Sequence, residues 1–291
     1  METQEQLADR FEEHRDHLRS VGYRMLGSTA EADDAVQEAW LRLARADTSE
    51  VLNLRGWLTT VVSRICLDVL RSRKARREDS LEVHIPDPVV TRLDHDPAAA
   101  AEQADEVTLA LLVVLDALNP RERMAFVLHD LFGVPFDVIG EILDTTPNTA
   151  TQLASRARRR VRATPPPVAD LAMQRRVLEA FRSAADLGDF DALVSVLDPD
   201  VTLRADAGPG GASTVIRGAV AVAAQARAFR RSGHETEQIP VLVNGALGML
   251  ALKDGRLMSV FSPLIRDGRI VEINIVADPE RLTGIDVDDF R

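Results

Sequence analysis

The sequence has few cysteines and few aromatic residues. Its 291 residues include one cysteine, Cys66, and only 4% of them are aromatic. A single thiol excludes an internal disulfide framework and is typical of proteins from a reducing compartment. With 45% hydrophobic residues the chain can still bury a core. We expect that core to consist mainly of Leu, Val, Ile and Ala, with Cys66 filling space within it.

Long apolar runs are absent as well. No window approaches the ~18 consecutive apolar residues that cross a bilayer, and residues 1–6 lack the apolar stretch of a secretory signal. We therefore expect a soluble, cytoplasmic protein.

The sequence also lacks the common catalytic and phosphate-binding signatures. Neither Gly-x-Ser-x-Gly nor His-Glu-x-x-His occurs, and the glycine-rich stretch 208–211 lacks the strand–loop–helix spacing of a dinucleotide site. His14 and His17 have the i, i+3 spacing of a metal pair, but we interpret them as solvated side chains on a helix. We predict no catalytic residues, no metal site and no cofactor.

Acidic residues outnumber basic ones by 46 to 35, and the net charge of −11 argues against non-specific nucleic-acid binding. The cations are nevertheless clustered, because five lie within residues 71–77 and five within residues 156–162. The chain is thus acidic as a whole but basic at two places, where it could contact DNA.

Composition and periodicity divide the chain into five parts. We predict a helical domain at 1–78, an acidic linker at 79–104, a second helical domain at 105–163, a proline-rich spacer at 164–170 and an α+β domain at 171–291. In the helical domains we expect helices over 5–26, 31–45, 54–74, 105–118, 120–132, 136–143 and 149–161, with Ser28 or Thr29 capping the second. In the last domain we expect helices over 168–187, 190–197 and 219–231 and strands over 201–204, 237–243, 247–252, 257–264 and 269–276.

Residues 136–160 have the pattern of a helix-turn-helix. The second helix of this motif lies in the major groove, where its first side chains reach base edges and its cations hold phosphates. Two packed helices with a solvated basic end would give the same pattern, and the residues alone leave both interpretations open. In the first interpretation the candidates for bases or sugars are Thr149, Thr151, Gln152 and Ser155, and those for phosphates are Arg156, Arg158, Arg159 and Arg160.

Two blocks of sequence resemble the sigma-70 family of transcription initiation factors. Glu31–Leu43, Leu54–Arg64 and Asp68–Lys74 are similar to region 2 of that family, and Leu118–Leu128 with the helix-turn-helix is similar to region 4. The extracytoplasmic-function group is the most similar. The order and spacing of the two blocks, over about residues 8–162, make the resemblance specific.

The resemblance implies that the helix at 31–45 docks on the coiled coil of the largest RNA polymerase subunit. The implied contacts share one helix face, opposite the apolar stripe of Val36 and Trp40. They are Asp34, Gln37, Glu38 and Leu41. A solvated acidic face is the alternative for these residues.

The resemblance also assigns the helix at 54–74 to melting and reading the −10 promoter element, which requires flipped bases to be caught and the freed strand to be held by cations. The matching positions are Arg64, Asp68, Arg71, Arg73 and Lys74. We place Trp57 in the core of this domain rather than on a base-stacking surface, because it falls in the apolar stripe of its helix.

Recognition of the −35 element falls, by the same resemblance, to the second helix of the helix-turn-helix. Its implied contacts are Thr149, Thr151, Gln152, Ser155, Arg156, Arg158 and Arg159. Positions 151 and 153 are often basic in the family but are Thr and Leu here, so no generic promoter sequence can be transferred. The acidic linker resembles the stretch that threads toward the RNA exit path, and a flexible tether is the alternative.

The last domain resembles the SnoaL-like, nuclear-transport-factor-2-like cone, in which helices wrap a curved antiparallel sheet. Three motifs of sigma factors with such a tail occur in altered form, at Ile85–Pro88, Asp206–Gly211 and Asp278–Leu282. They imply a tail that contacts the sigma domains and modulates them. The regulatory candidates are Asp206, Gly210, Gly211, Asp278, Pro279 and Arg281, and an unidentified small ligand of the tail stays open.

Together these features predict an RNA polymerase sigma factor that directs promoter-specific initiation, with core polymerase and promoter DNA as partners and its own tail as modulator. The predicted fold is mainly α: a three- or four-helix bundle for region 2, a helix-turn-helix for region 4, and an α+β cone. One alternative is a polymerase-independent helix-turn-helix regulator with a ligand-binding tail. Another makes the tail an isomerase or cyclase, which would need a polar dyad; its candidates are Asp206, His234, Glu237 and Glu272.

Overall fold

The computed structural model describes residues 4–46, 51, 53–77, 85–93, 109–162, 171–208, 211, 213–231 and 236–291. These residues form two compact units. The first contains the described residues up to 77 and those from 112 to 162, and the second contains residues 85–93 and 109–111 together with those from 171 onward. The C-terminal unit thus includes part of the segment predicted as an acidic linker.

The described part of the first unit is built from helices. Its α-helices end within a few residues of the predicted bounds, except for the one predicted over 120–132, which ends at Phe126. They are α1 (Gln4–Leu26), α2 (Thr29–Leu43), α3 (Leu54–Arg77), α4 (Leu109–Asp116), α5 (Pro120–Phe126), α6 (Phe136–Ile142) and α7 (Pro147–Arg162). None of the helices among the described residues is long and apolar enough to cross a membrane.

Two helix starts follow directly from the local sequence. The Ser28 side chain accepts a hydrogen bond from the Glu31 amide at the start of α2, as predicted. Asn119 does the same for the Glu122 amide at 2.9 Å, and Pro120 occupies the first position of α5. Both are favourable because the first amides of a helix have no partner within it.

The first three helices pack around a core of aliphatic side chains. Its members are less than 2% exposed and include Leu18, Val21, Met25, Val36, Ala39, Leu58, Val62 and Cys66. The Phe11 and Trp40 rings lie 5.2 Å apart at the edge of this core. Cys66 fills core space as expected, and burial raises the pKa of its thiol to about 12. Trp57 is only half-buried.

The predicted helix over 120–132 is interrupted. The α-helix ends at Phe126, and Val127–Leu131 form a π-helical turn. Such a turn widens the helix by one residue per turn and changes the direction of the side chains that follow. The His129 ring stacks on Phe136 with ring centres 3.8 Å apart, which holds this turn against the first residue of α6.

Arg123 of α5 is a charged side chain that is almost completely buried, at 1% exposure. Its guanidinium donates to Asp116 Oδ1 at 3.1 Å and to the Arg24 carbonyl at 3.4 Å. A buried cation requires partners of this kind because its desolvation costs several kcal/mol. Arg123 therefore ties α5 both to the last residue of α4 and to the carbonyl end of α1, where the helix dipole is negative.

His17 links α1 to α3 and is packed rather than solvated. Its Nδ1 accepts from the Arg55 guanidinium at 3.0 Å, and its Nε2 lies 3.1 Å from Thr59 Oγ1. Because the Thr59 hydroxyl donates to the Arg55 carbonyl, the ring proton is on Nε2. Burial, reinforced by the Arg55 charge, lowers the pKa of His17 to about 4, so the ring is neutral at pH 7.

The second unit combines four α-helices, a 3-10 helix (Val287–Phe290) and a seven-stranded sheet among its described residues. The helices are α8 (Leu171–Leu187), α9 (Phe190–Val196), α10 (Ala219–Arg231) and α11 (Pro279–Leu282). The strands are β1 (Val90–Thr91), β2 (Leu197–Asp206), β3 (Thr214–Arg217), β4 (Glu237–Val243), β5 (Ala246–Lys253), β6 (Arg256–Arg266) and β7 (Arg269–Val276). Their order is β1-β4-β5-β6-β7-β2-β3, and only the β2–β7 pair is parallel.

Helices α8, α9 and α10 cover one face of this sheet. Their apolar side chains meet those of β2, β6 and β7, and the rings of Phe181 and Phe261 lie 5.9 Å apart in this layer. The alternation of buried and exposed residues along the strands follows from the two faces of the pleat.

Three features of this unit differ from the prediction. The predicted helix 190–197 ends at Val196, because Leu197 already starts β2. Strand β3 and strand β1 were not predicted. β1 has only two residues, pairing Val90 with Val243 and Thr91 with Leu242. It is therefore formed by its pairing with β4 and shows no alternation of apolar and polar residues that would predict a strand.

Replacing Asp116 by Ala should leave the Arg123 charge buried with one partner fewer. We expect the free energy of unfolding to fall by about 3 kcal/mol, because a buried charge that loses its counter-ion is strongly destabilising. Urea unfolding followed by circular dichroism measures this change. As a matched control, Glu12→Ala removes an exposed ion pair with Arg15 and should leave the midpoint unchanged. Equal midpoints for the two variants would contradict the role given to Arg123.

Candidate nucleic-acid interface

The helix-turn-helix depends on a close approach between α6 and the turn that follows it. A Cβ added at Gly140 would lie 2.9 Å from the Thr145 carbonyl oxygen, so the turn can pass over α6 only because residue 140 is glycine. Asp144 in the same turn has φ 49°, in the left-handed region that Asp tolerates better than most residues. The sequence therefore fixes the angle at which α7 leaves the turn.

Helix α7 has one buried and one exposed face. Ala150, Leu153, Ala154 and Ala157 are buried against the unit. The exposed face carries the polar residues predicted to read DNA, and it extends over Thr151, Gln152, Ser155, Arg156 and Arg159. The structure thus places these side chains together on a single surface, as a helix in a DNA groove requires.

Asn148 belongs to the same exposed face and was missed by the sequence analysis. We began the helix at Thr149, whereas the structure starts it at Pro147. The signal was present, because proline is favoured at the first position of a helix. Asparagine makes paired hydrogen bonds with adenine, so Asn148 is an additional candidate for reading a base.

Two threonines at the start of α7 are partly used by the helix itself. Thr146 Oγ1 accepts from the Thr149 amide at 3.2 Å and lies 3.0 Å from the Thr149 hydroxyl. The Thr151 hydroxyl donates to the Pro147 carbonyl at 3.0 Å. These two hydroxyls are therefore less available for base contacts than the side chains of the other candidates, Asn148, Gln152 and Ser155.

The arginines of α7 fall into two groups. Arg158 pairs with Asp130 at 2.5 Å, and Arg160 pairs with the buried carboxylate of Glu122 at 2.7 Å. Arg156 and Arg159 are exposed and form no ion pair with any residue that the structure describes. Arg162, at the end of α7, is exposed as well and forms no ion pair among the described residues. The cations available for phosphate are therefore Arg156, Arg159 and Arg162, whereas Arg158 and Arg160, also predicted for this role, attach α7 to the preceding helices.

The residues predicted to contact the −10 element divide between two sides of α3. Arg64, Asp68 and Arg71 are exposed and share one face at i, i+4 and i+7. Asp68 and Arg71 are 3.6 Å apart, and Arg64 donates to the Glu141 carbonyl at 3.3 Å. The Lys74 side chain lies outside the described part of the chain.

Arg73 lies on the opposite side of α3. Its guanidinium pairs with Glu31 and donates to the Leu26 carbonyl at 2.7 Å, and its side chain is only 14% exposed. Arg73 holds α3 to the junction between α1 and α2. This geometry argues against the predicted contact of Arg73 with DNA.

The face of α2 predicted to bind polymerase is exposed. Asp34 and Gln37 are on the surface, and Leu41 is 40% exposed although it is a large apolar side chain. Glu38 is half-buried and accepts from Arg42 Nε at 2.9 Å. The four predicted side chains therefore lie on an accessible face of α2, opposite its buried residues.

The three predicted tail motifs meet at the Arg281 side chain, within the second unit. Arg281 Nε donates to Asp87 Oδ1 at 2.5 Å, Nη1 donates to Asp206 Oδ2 at 2.8 Å, and Nη2 donates to the Ile85 carbonyl. Asp206 also accepts from the Ile85 amide at 3.0 Å. We call this group the Arg281 clamp: Arg281, Asp87, Asp206 and the main chain of Ile85.

The remaining motif residues shape the surroundings of the clamp. Asp278 accepts from the Glu280 amide at 2.9 Å and caps α11, whose first residue is Pro279. Gly208 lies beside the Asp278 carboxyl group and has φ 74°, in the left-handed region that favours glycine. Gly211 donates its amide to the Gly208 carbonyl at 3.0 Å, and Gly210 lies outside the described residues.

A second set of contacts fixes the same segment further along. The Val89 amide donates to Asn244 Oδ1 at 3.2 Å, and the Asn244 amide donates to the Val89 carbonyl at 2.8 Å. Arg92 donates to the Asp289 carbonyl at 2.9 Å. Residues 85–93 are therefore docked on the C-terminal unit, which differs from the free tether considered above.

The candidates for a catalytic dyad are used in separate ion pairs. Asp206 belongs to the Arg281 clamp, Glu237 pairs with Arg291 at 3.3 Å, and Glu272 pairs with Arg204 at 3.0 Å. His234 lies outside the described residues.

Two family models match the helical regions of the chain, and relatives match nearly its whole length. The models "Sigma-70 region 2" and "Sigma-70, region 4" match residues 10–76 and 108–161. The chain is 42% identical to the ECF RNA polymerase sigma factor SigJ of Mycobacterium tuberculosis, over 94% of this chain and 92% of SigJ. It is 37% identical to the probable ECF RNA polymerase sigma factor SigI of the same species, over 92% of each. The crystal structure of M. tuberculosis SigJ matches with a TM-score of 0.73 and 37% identity, over 95% of this chain and 98% of that chain.

The chain belongs to the extracytoplasmic-function (ECF) RNA polymerase sigma factors. As an ECF sigma factor it acts in promoter-directed transcription initiation, and the polymerase-independent regulator is not favoured. The predicted fold class, two helical sigma domains followed by a sheet-containing cone, is confirmed.

In this ECF sigma factor, Gln152→Ala and Arg159→Ala should weaken promoter recognition in different ways. A base contact by Gln152 would be worth about 1–3 kcal/mol of discrimination, so its loss should relax the preference at one −35 position. Loss of a phosphate contact by Arg159 should weaken all promoters alike and reduce the salt dependence by about one charge. The measurement is transcription from a library of −35 variants at two salt concentrations.

Arg256→Ala, at an exposed arginine of the second unit, is the control and should change neither quantity. An unchanged base preference in Gln152→Ala would remove this residue from the −35 interface.

Proposed function

We propose that three surfaces of the first unit make the contacts of initiation. The exposed face of α2 binds core polymerase. The Arg64–Asp68–Arg71 face of α3 melts and reads the −10 element, and the exposed face of α7 reads the −35 element. The support is that each of these faces is exposed while the opposite side of the same helix is buried.

Asp34→Arg should reduce binding to core polymerase at least tenfold, because it reverses the charge of an exposed side chain on the α2 face. Core-polymerase binding is measured by fluorescence anisotropy with the labelled full chain. Glu13→Arg, which makes the same charge change on an exposed position of α1, is the matched control and should bind as the natural chain does. If both variants bind equally well, α2 is not the docking surface.

We also propose that the tail modulates initiation by holding the segment that joins region 2 to region 4. The observation that carries this proposal is the Arg281 clamp, whose Asp87 and Ile85 lie between the two sigma regions in the chain. Asp206 is 4% exposed, and carboxylate–guanidinium hydrogen bonds are among the stronger ones in partly buried sites. The clamp therefore resists release of the segment.

The covalent connection between α3 of region 2 and the docked segment is short. Seven residues separate Arg77, the end of α3, from Ile85, and the eight steps between the two Cα atoms span at most about 29 Å when fully extended. A contact over such a short connection acts at an effective concentration on the order of millimolar. A modest change in the stability of the clamp can then change the freedom of the two sigma regions to separate.

The clamp also bears on the alternative in which the tail is an enzyme. Of the polar candidates for catalysis, Asp206 is occupied by the clamp, and Glu237 and Glu272 are in ion pairs of their own. All three carboxylates are thus used in ion pairs within the second unit. We propose a regulatory rather than catalytic tail.

Arg281→Ala should make the full chain transcribe as a chain cut near Pro165 does. Loss of the charged hydrogen bonds costs about 2–3 kcal/mol. This cost lowers the equilibrium constant for docking of the segment by tens-fold. Run-off transcription with core polymerase compares the natural chain, the cut chain, Arg281→Ala and the exposed-site control Arg256→Ala.

Three outcomes decide the two parts of this proposal. Equal transcription by the natural and cut chains would show that the tail does not modulate initiation. A cut chain that differs while Arg281→Ala behaves as the natural chain would show modulation by a route other than the clamp. Agreement of Arg281→Ala with the cut chain supports the clamp.

A further inference from the structure

A groove lies between α8 and the β4–β5 hairpin, entirely within the second unit. Its volume is about 140 Å³, and it is open on one side. The lining residues are Leu93, Arg175, Leu178, Glu179, Arg182, Pro240, Leu247 and Met249. None of these residues takes part in the sigma contacts described above.

The floor of the groove is apolar and already formed. Leu178, Leu247 and Met249 are at most 6% exposed and make a small cluster apart from the main core, with Leu93 and Phe261 packed against it. The Leu247 amide donates to the Gln174 side-chain oxygen at 3.0 Å, which fixes the hairpin to α8. A preformed apolar floor lowers the cost of binding a small apolar group.

The rim of the groove carries cations. Arg175 and Arg182 are seven residues apart on α8 and therefore share one side of the helix. Both are exposed, and neither forms an ion pair with a carboxylate among the residues that the structure describes. Glu179 lies between them, which leaves the rim with a net charge of +1. A guanidinium presents paired N–H groups that match a carboxylate.

We propose that this groove binds a small amphipathic carboxylate. The apolar body of the ligand would lie on Leu178 and Met249, and its carboxylate would meet Arg175 and Arg182 at the rim. The volume sets the size, because a cavity of about 150 Å³ holds one benzene molecule. The ligand class is therefore an aromatic or short-chain monocarboxylate of about the size of benzoate.

Leu93 connects the groove to the segment held by the tail. It forms one wall of the groove and lies next to Arg92, whose guanidinium is bonded to the Asp289 carbonyl. A ligand in the groove must contact or displace Leu93, and so changes how residues 85–93 are held. This coupling rests on the proposed function of the tail, whereas binding itself does not.

The experiment measures binding of benzoate to the full chain by calorimetry and by saturation-transfer NMR, without polymerase or DNA. Benzyl alcohol and benzylamine, of similar size but neutral and cationic, should bind at least tenfold more weakly. The double variant Arg175→Gln/Arg182→Gln should also lose at least tenfold in benzoate affinity. Arg176→Gln, at an exposed neighbouring position of α8, is the matched control and should bind as the natural chain does.

The floor is tested separately by Met249→Trp, which fills the groove and should abolish binding while leaving the rim unchanged. Urea unfolding confirms that each variant is folded. The proposal is overturned if benzoate does not bind at ~10 mM, if benzylamine binds as well as benzoate, or if either the double or the Met249 variant binds normally.

Coupling to the linker has its own test in Leu93→Ala. A change in benzoate affinity of threefold or more, in either direction, supports contact between ligand and linker. An unchanged affinity overturns the coupling, and it does so independently of any transcription result.

Discussion

Three hydrogen bonds from one guanidinium organise the C-terminal unit. Arg281 reaches from α11, near the C-terminal end of the described chain, to Asp206 at the end of β2 and to Asp87 and Ile85, almost two hundred positions earlier. A cation in this place would be costly to desolvate alone, and the two carboxylates would repel each other without it. The three charged side chains of the clamp, Arg281, Asp87 and Asp206, therefore stabilise one another. The clamp joins the start, the middle and the end of this unit.

In the first unit, too, arginines hold the structure together by forming ion pairs. Arg73, Arg123, Arg158 and Arg160 all form ion pairs inside it, although all four lie in or near stretches that resemble DNA-binding regions. Two of the five arginines of α7, Arg158 and Arg160, form ion pairs, so fewer cations of this helix stay unpaired among the described residues than the sequence implies. A chain with a net charge of −11 can in this way present a basic surface at α7 without being basic overall. Long-range repulsion of DNA by the acidic remainder is screened within about 8–10 Å at physiological salt.

Periodicity predicted most of the fold, because helices such as α2 and α10 and hairpin strands such as β4 and β7 have strong local patterns. The N-caps at Ser28 and Asn119 and the turn at Gly140 are equally local. What could not be predicted depends on residues far apart in the chain. Strand β1 forms only against β4, and residues 85–93 have no pattern of their own that indicates docking. The pairing of Arg158 with Asp130, and of Arg73 with Glu31, decides which arginines remain for DNA, and spacing along one helix does not reveal such partners.

The docked segment is recognised mainly through its backbone. The amide and carbonyl of Ile85, the amide and carbonyl of Val89 and the two residues of β1 supply most of its contacts, and Asp87 adds a charged side chain. Main-chain groups are the same for nearly every amino acid, so most of these positions can change during evolution without loss of docking. The constraint falls instead on the receiving side chains, Asp206, Asn244 and Arg281. Relatives can therefore differ in the amino-acid sequence of this segment and still dock it in the same way. Covariation between Asp87 and Arg281 would be the clearest evidence of this docking in an alignment.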